Sequence, residues 1–167
     1  MNLTLRNFLN LNMKPCEPEF VAHAQNIKGF EMILKASPME VFEVVAGKDE
    51  EIWFPNFKSM RWLNGSGKCV GAQREYCIKG LSMIENFTIW EPGKKLVFYM
   101  SFMSIPYCSR FMEHYEITPI TQDQTKLNWR ICYEPSWIFW LFFPIVRMIF
   151  EADFNQAAMN LENYFAS

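Results

Sequence analysis

Histidine is scarce in this chain: two occur among 167 residues, His23 and His114. A metal centre built on a histidine cluster is therefore excluded, and no G-x-S-x-G motif suggests a nucleophilic elbow. Charge of one sign is also lacking. Sixteen basic and 18 acidic residues leave a net charge of −2, with no arginine-rich run, so nucleic acid is not an expected partner. Cysteines stand at 16, 69, 77, 108 and 132, an odd number with no C-x-x-C pair. That argues against a disulfide framework and against zinc, and leaves buried small hydrophobes in a reducing cytoplasm as the expectation. The N-terminal "MNLTLRNFLNLNMKPCEPEF" has neither the unbroken apolar core nor the small-residue cleavage site of a secretory signal. It reads as a mobile extension or a short amphipathic turn. An apolar run long enough for a bilayer, about 20 residues, is missing too. The nearest approach, "PSWIFWLFFPIVRMIF" at 135–150, is broken by Pro144 and charged at Arg147. Contact with a membrane surface through 137–150 survives that exclusion; a span does not.

What the chain does have is apolar bulk. Half of it is hydrophobic, with 16 Phe, six Trp, six Tyr and 11 Met. That is enough for one domain with a sizeable core and argues against disorder. "KGFEMILKA" reads as a strand. In "SPMEVFEVVAG", Ser37 caps, Pro38 suits the first helical position, Glu40 completes a capping box and Gly47 stops the helix. A second short helix is expected in "KDEEIWFPNF", capped by Asp49 and ended by Pro55. Strands follow in "FKSMRWL", "GAQREYCIKG", "SMIENFTIWE", "KLVFYMSFM", "YCSRFMEHYEITPI" and "TKLNWRICYE". Asn64-Gly65 signals a hairpin after the first of these, and Glu91-Pro92-Gly93-Lys94 a type II turn. "GSGK" at 65–68 is no phosphate loop, because Trp62 stands where the earlier glycine is needed. From Ser136 to about Phe165 a helix kinked at Pro144 is expected, with Phe150, Phe154, Ala158, Leu161 and Phe165 facing the sheet.

This order, with "ASPMEVFEVV", "IWFP", "VGAQRE", "ENFTIWEPGKKLVFY", "YEITP", "TKLNWRICYEP" and "MNLENYF" in sequence, resembles the SRPBCC or START-like helix-grip superfamily over about residues 28–166. That superfamily includes START domains, birch-pollen-allergen-like proteins, abscisic-acid receptors and the polyketide cyclase/dehydrase family. The resemblance implies an α+β helix-grip fold: a curved antiparallel seven-stranded sheet wrapped around a long C-terminal helix, with two short helices after the first strand. It also implies a cavity between sheet and helix, and a single domain over 1–167 with 1–27 as an extension. Most members bind hydrophobic small molecules and a minority are enzymes, so the fold alone leaves both open.

Strand alternation assigns the faces. Met83, Glu85, Phe87 and Ile89 share one side of their strand, and Arg74, Tyr76 and Ile78 one side of the preceding strand. Tyr107, Phe111, Glu113, Tyr115 and Ile117 fall together on another, although a register slip of one would put Glu113 at a solvated rim. Trp129, Ile131 and Tyr133 line the next. Met60, Trp62, Phe98 and Met100 on neighbouring strands, with Phe154 and Met159 on the helix, complete the expected ligand-binding lining. His114, opposite Tyr115, is expected at the solvated surface. In the abscisic-acid receptors a glutamate and an arginine lie at places resembling Glu85 and Arg74. A buried carboxylate must pair, bind water or stay protonated, so a structural Arg74–Glu85 pair and a ligand-orienting or catalytic role both stand.

The leading expectation is a binder or carrier of a hydrophobic small molecule (lipid, sterol or polyketide-like), with 137–150 forming the lid. The alternative is a cyclase, dehydratase or isomerase with Glu85 or Glu113 as acid/base and Arg74 polarising a carbonyl. A third reading makes 137–150 a dimer interface. No metal or cofactor is expected.

Overall fold

Ser37 caps the first helix as its sequence requires. Its hydroxyl accepts from the Glu40 N–H, and the Glu40 carboxylate accepts from the Ser37 N–H at 2.8 Å. The structure, a computed structural model, describes residues 13–64, 67–105, 107–137 and 142–166, without the side chains of Phe143 and Val146. Strand β1 (Asn26–Leu34) precedes helices α1 (Pro38–Val45) and α2 (Glu50–Trp53). Strands β2 (Phe57–Trp62), β3 (Gln73–Ile78), β4 (Leu81–Glu91), β5 (Lys95–Met103), β6 (Cys108–Thr121) and β7 (Gln124–Pro135) follow, then helix α3 (Phe143–Ala166). All seven strands form one antiparallel sheet in the order β1-β7-β6-β5-β4-β3-β2. Helix α3 packs on β1 and α2, and α2 on β2, so the helices bridge the two edge strands. This is the expected α+β helix-grip arrangement.

The main core lies between the inner sheet face and the helices. Leu96, Phe98 and Met100 from β5, Leu127, Trp129 and Ile131 from β7, and Phe154, Ala157, Ala158 and Leu161 from α3 all belong to it. Each large side chain sequestered this way contributes about 1.5–3 kcal/mol. Phe150 and Phe165, at the ends of the expected helix face, are half-buried against the same core.

Several local expectations fail for identifiable reasons. Asp49 adopts a left-handed backbone and makes no cap bond; its carboxylate instead accepts from the Tyr164 hydroxyl at 2.6 Å. β2 and β3 do pair antiparallel across the expected hairpin, although the connection is ten residues long. The Asn64 side chain spans that connection, accepting from the Gln73 N–H and donating to the Gly71 carbonyl; Gly65 lies outside the described residues. Pro144 falls in the first turn of α3, where a missing N–H costs nothing, rather than at a kink. Ser136 and Trp137 precede that helix, and 138–141 lie outside the described residues.

The extension also has a role that its composition did not reveal. Met13 and Lys14 donate backbone hydrogen bonds to the Ser101 and Ser109 carbonyls, and the Met13 side chain joins the main core. Cys16 and Phe20 then cover Val97, Met112 and Cys132 on the outer sheet face. Residues 1–12 lie outside the described ones. His114 shares this outer face yet is only 2 % exposed, not solvated. Burial, with Lys95 nearby, pushes its imidazole down to about 4. Cys16, Cys108 and Cys132 are buried as expected, Cys77 is half-buried and Cys69 is exposed; all five are free.

Candidate functional site

Arg74 stands on β3 opposite Glu85 on β4, and both face inward as alternation requires. The guanidinium is 1 % exposed. Its Nε donates a short hydrogen bond to Glu85 Oε2, and its Nη1 donates to the Ala46 carbonyl at 3.1 Å. Nη1 also lies 3.9 Å from Glu50 Oε1. Four aromatic faces surround it, those of Trp62, Tyr76, Phe87 and Phe98, at 5.2–5.9 Å from the ring centroids. Gly47 allows this approach. At φ +120° it adopts a backbone that other residues rarely adopt, and a Cβ there would lie 2.6 Å from Arg74 Nη1.

Glu50 was not foreseen. It reaches the site from α2, which α3 clamps through Asn160 Nδ2 donating to the Trp53 carbonyl and through Tyr164 to Asp49. The available signal was the i, i+3 spacing of Glu50 and Trp53, which places both on the buried face while Ile52 points out. Tyr76 donates to Glu50 Oε2 at 2.8 Å. A second acid group lies on β6 and β7: Tyr115 and Trp129 donate to Glu113 Oε2 at 2.5 and 2.9 Å. Glu113 is thus buried among donors, not solvated at a rim.

Three carboxyls and one guanidinium meet here, and they cannot all ionise. Burial raises each carboxyl, and Arg74 only partly offsets it. Glu50 is pushed up to about 8 and Glu113 to about 7. Burial alone would lower Arg74, but Glu85 and Glu50 hold it charged. The direct Nε bond makes Glu85 its counter-ion, so Glu50 and Glu113 are the groups that hold protons well above the ordinary carboxylate range.

These groups form one side of a cavity of about 230 Å³ between the sheet, α2 and α3. Of the residues singled out from sequence, Arg74, Tyr76, Glu85, Phe98, Met100, Phe111, Glu113, Tyr115 and Phe154 line it. Trp53 of α2 and Phe54 just after it, Met83 of β4, and Ile149 and Phe150 of α3 join them. Exposed Lys79, Gly80 and Ile149 and half-exposed Ile105, Tyr107 and Asp153 mark its mouth.

Five of the expected lining residues lie elsewhere, and Tyr133 also stands back. Phe87 and Trp129 are packed solid in the core, Trp129 stacked on Tyr115 at 5.4 Å. Tyr133 stacks on Phe111 outside the lining. Met60 and Trp62 lie beyond Arg74 and line a separate hollow of about 500 Å³ with Met39, Phe42 and Trp90. Met159 is 52 % exposed, because it sits one position past Ala158 on α3 and turns away from the sheet. Ile89 moves to the outer cluster because a bulge after Phe87 inserts an extra residue and reverses the alternation. In the 135–150 run, Trp137, Phe142, Ile145, Met148 and Ile149 are exposed.

Among the described residues no cluster of metal-ligating side chains occurs, and no helix is long and apolar enough to cross a membrane. No protein-family model and no curated protein matches the sequence. Solved structures do. A START superfamily protein from Mycobacterium smegmatis superimposes with a TM-score of 0.68 at 14% identity, covering 84% of this chain and 97% of that one. Ara h 8.0201 gives 0.61 at 12% identity, covering 84% and 99%. The di-domain ARO/CYC BexL from the BE-7585A biosynthetic pathway gives 0.67 at 10% identity, covering 83% of this chain and 46% of that one. At such identities the likeness is one of fold: the chain has the START-like helix-grip fold.

Proposed function

We propose that the chain binds and carries a hydrophobic small molecule in the cavity between sheet and α3. The observation that carries this reading is an apolar, aromatic-walled cavity with a mouth, beside a few convergent polar groups, which is the usual anatomy of a ligand site. Its volume of about 230 Å³ lies just below the common range of ~300–1,000 Å³. Among lipid, sterol and polyketide-like ligands, that size favours a compact ring system. The exposed Phe142, Ile145, Met148 and Ile149 beside the mouth would serve loading from a membrane surface. Native mass spectrometry of the purified protein, followed by displacement of an apolar fluorescent dye with aromatic polyketide-like compounds, tests the reading. A retained or displacing ring compound supports it; a protein that binds neither dye nor compound refutes it.

One observation favours a second reading, acid/base catalysis. Glu113 is poised near neutrality and both its described bonds converge on Oε2. Arg74 is less suited to polarise a substrate carbonyl than its sequence position suggests, because Glu85 and Ala46 already engage it. If Glu113 is the catalytic acid, Glu113→Gln abolishes turnover of a bound compound while leaving its affinity within severalfold.

A further inference from the structure

The polar side of the cavity is crowded with acid. Glu50 arrives from α2, Glu85 from β4 and Glu113 from β6, against the single guanidinium of Arg74 on β3. Tyr76 and Tyr115 complete the inner titratable groups, both held neutral by burial beside carboxyls. At the mouth Lys79 from the β3–β4 turn and Asp153 of α3 both line the rim, with Tyr107 before β6, so the rim adds one charge of each sign.

Arg74 is already committed to partners within the protein. Glu85 takes Nε, the Ala46 carbonyl takes Nη1, Glu50 stands within ion-pair distance, and four aromatic faces enclose the rest. An incoming carboxylate would therefore meet three carboxyls and have to share with them one guanidinium already paired to Glu85, in a site where charges are poorly screened. Aromatic walls add to this, since ring faces attract cations and repel anions. A hydroxyl or carbonyl, by contrast, can exchange hydrogen bonds with a protonated Glu50 or Glu113, and an amine can take the proton that either releases.

We infer that this cavity discriminates by charge: it accepts ring compounds with an uncharged oxygen or an amine at the polar end, and it rejects carboxylates. The inference rests on the ligand-binding reading above and narrows its ligand class. It assigns charge selection to the carboxyls of the cavity, and Glu113, whose described hydrogen bonds come from the neutral Tyr115 and Trp129, is the residue to probe.

The test is calorimetric titration at about pH 7.5, where carboxylic acids and alkylamines are ionised, using naphthol, naphthylmethylamine and naphthoate as probes sharing one ring system. Naphthol and the amine are expected to bind at least about tenfold more tightly than naphthoate, a difference of ~1.4 kcal/mol. In Glu113→Gln the amine-to-naphthoate affinity ratio is expected to fall several-fold, with naphthol changing least. Naphthoate binding as well as or better than the other two overturns charge selection while leaving the binding reading intact. An unchanged ratio in a folded Glu113→Gln protein overturns the assignment to the cavity carboxyls. Failure of all three probes to bind overturns the ligand-binding reading, and this inference with it.

Discussion

Replacing Glu85 with glutamine keeps the side-chain shape and removes the charge that Arg74 Nε contacts directly. Both partners are almost wholly buried, at 1 % and 2 % exposure, so water cannot take over as counter-charge. Breaking a buried ion pair from one side costs about 3–5 kcal/mol, mostly as the penalty of an uncompensated buried charge. Here a substitute stands ready. Glu50 lies 3.9 Å from Arg74 Nη1 and holds a proton in the native protein, so it can ionise when Glu85 is lost. The Ala46 carbonyl also stays bonded to Nη1. The expected loss therefore falls at the low end, about 3 kcal/mol. For a chain of this length that lowers Tm by roughly 6–12 °C. Urea unfolding of Glu85→Gln, Glu50→Gln and the double variant measures both the loss and the coupling. Glu50→Gln alone should cost less than Glu85→Gln, and the double variant should cost clearly more than the two losses combined, because it strands Arg74. A loss under about 1 kcal/mol for Glu85→Gln, with the double variant merely additive, would refute the picture of Arg74 as a charge dependent on two carboxyls.

The same acids dictate an unusual pH response. Glu50 and Glu113 have raised values in the folded state, near 8 and 7, so their contribution is complete below about pH 4.3 and is lost as pH rises through the folded values. His114, depressed to about 4, opposes them by losing stability as pH falls below about 6.5. Two protons outweigh one, so urea midpoints should fall from about pH 5 to pH 8, most steeply between about pH 6.5 and 7; a midpoint that rises over that window contradicts the assigned protonation. On the outer sheet face, Phe20→Ala should cost about 3 kcal/mol by uncovering Val97, Met112 and Cys132, whereas a change near zero would mean the extension does not stay docked in solution. An aromatic disulfide reagent should modify Cys69 rapidly in the native protein and leave Cys16, Cys108 and Cys132 unreacted, since burial raises those thiols to about 11, 12 and 11; equal rates at all sites would refute the packing.

Much of this architecture is legible in the chain because its causes are local. Ser37, Pro38 and Glu40 specify a helix start through bonds that span three residues. Pro92-Gly93 turns β4 into β5, with Gly93 at φ +71° and Lys94 N–H bonded to the Glu91 carbonyl. Two-residue alternation alone places Arg74, Glu85, Glu113 and Tyr115 on inner faces, because the pleat leaves no other choice once one face is apolar. Three features were out of reach. The bulge after Phe87 reverses Ile89 because β4 must follow the register of β5, and one strand does not record its neighbour's register. His114 is buried on the outer face among side chains that include Lys95, Glu116 and Arg130, a matter of packing across strands and not of its own strand's alternation.

Glu50 decides the chemistry most; its spacing from Trp53 hints at a buried face, but its place beside Arg74 is set by the folded molecule. The chain by itself determined that a carboxylate and a guanidinium would face an aromatic interior, since side-chain period and apolar patterning act over a few residues. Only tertiary structure decided how many carboxyls share that guanidinium. The answer depends on α3 holding α2 through Asn160 and Tyr164, contacts more than a hundred residues apart in sequence. Those contacts bring a third acid within 3.9 Å of Arg74, and with it the excess acid that governs protonation in the cavity.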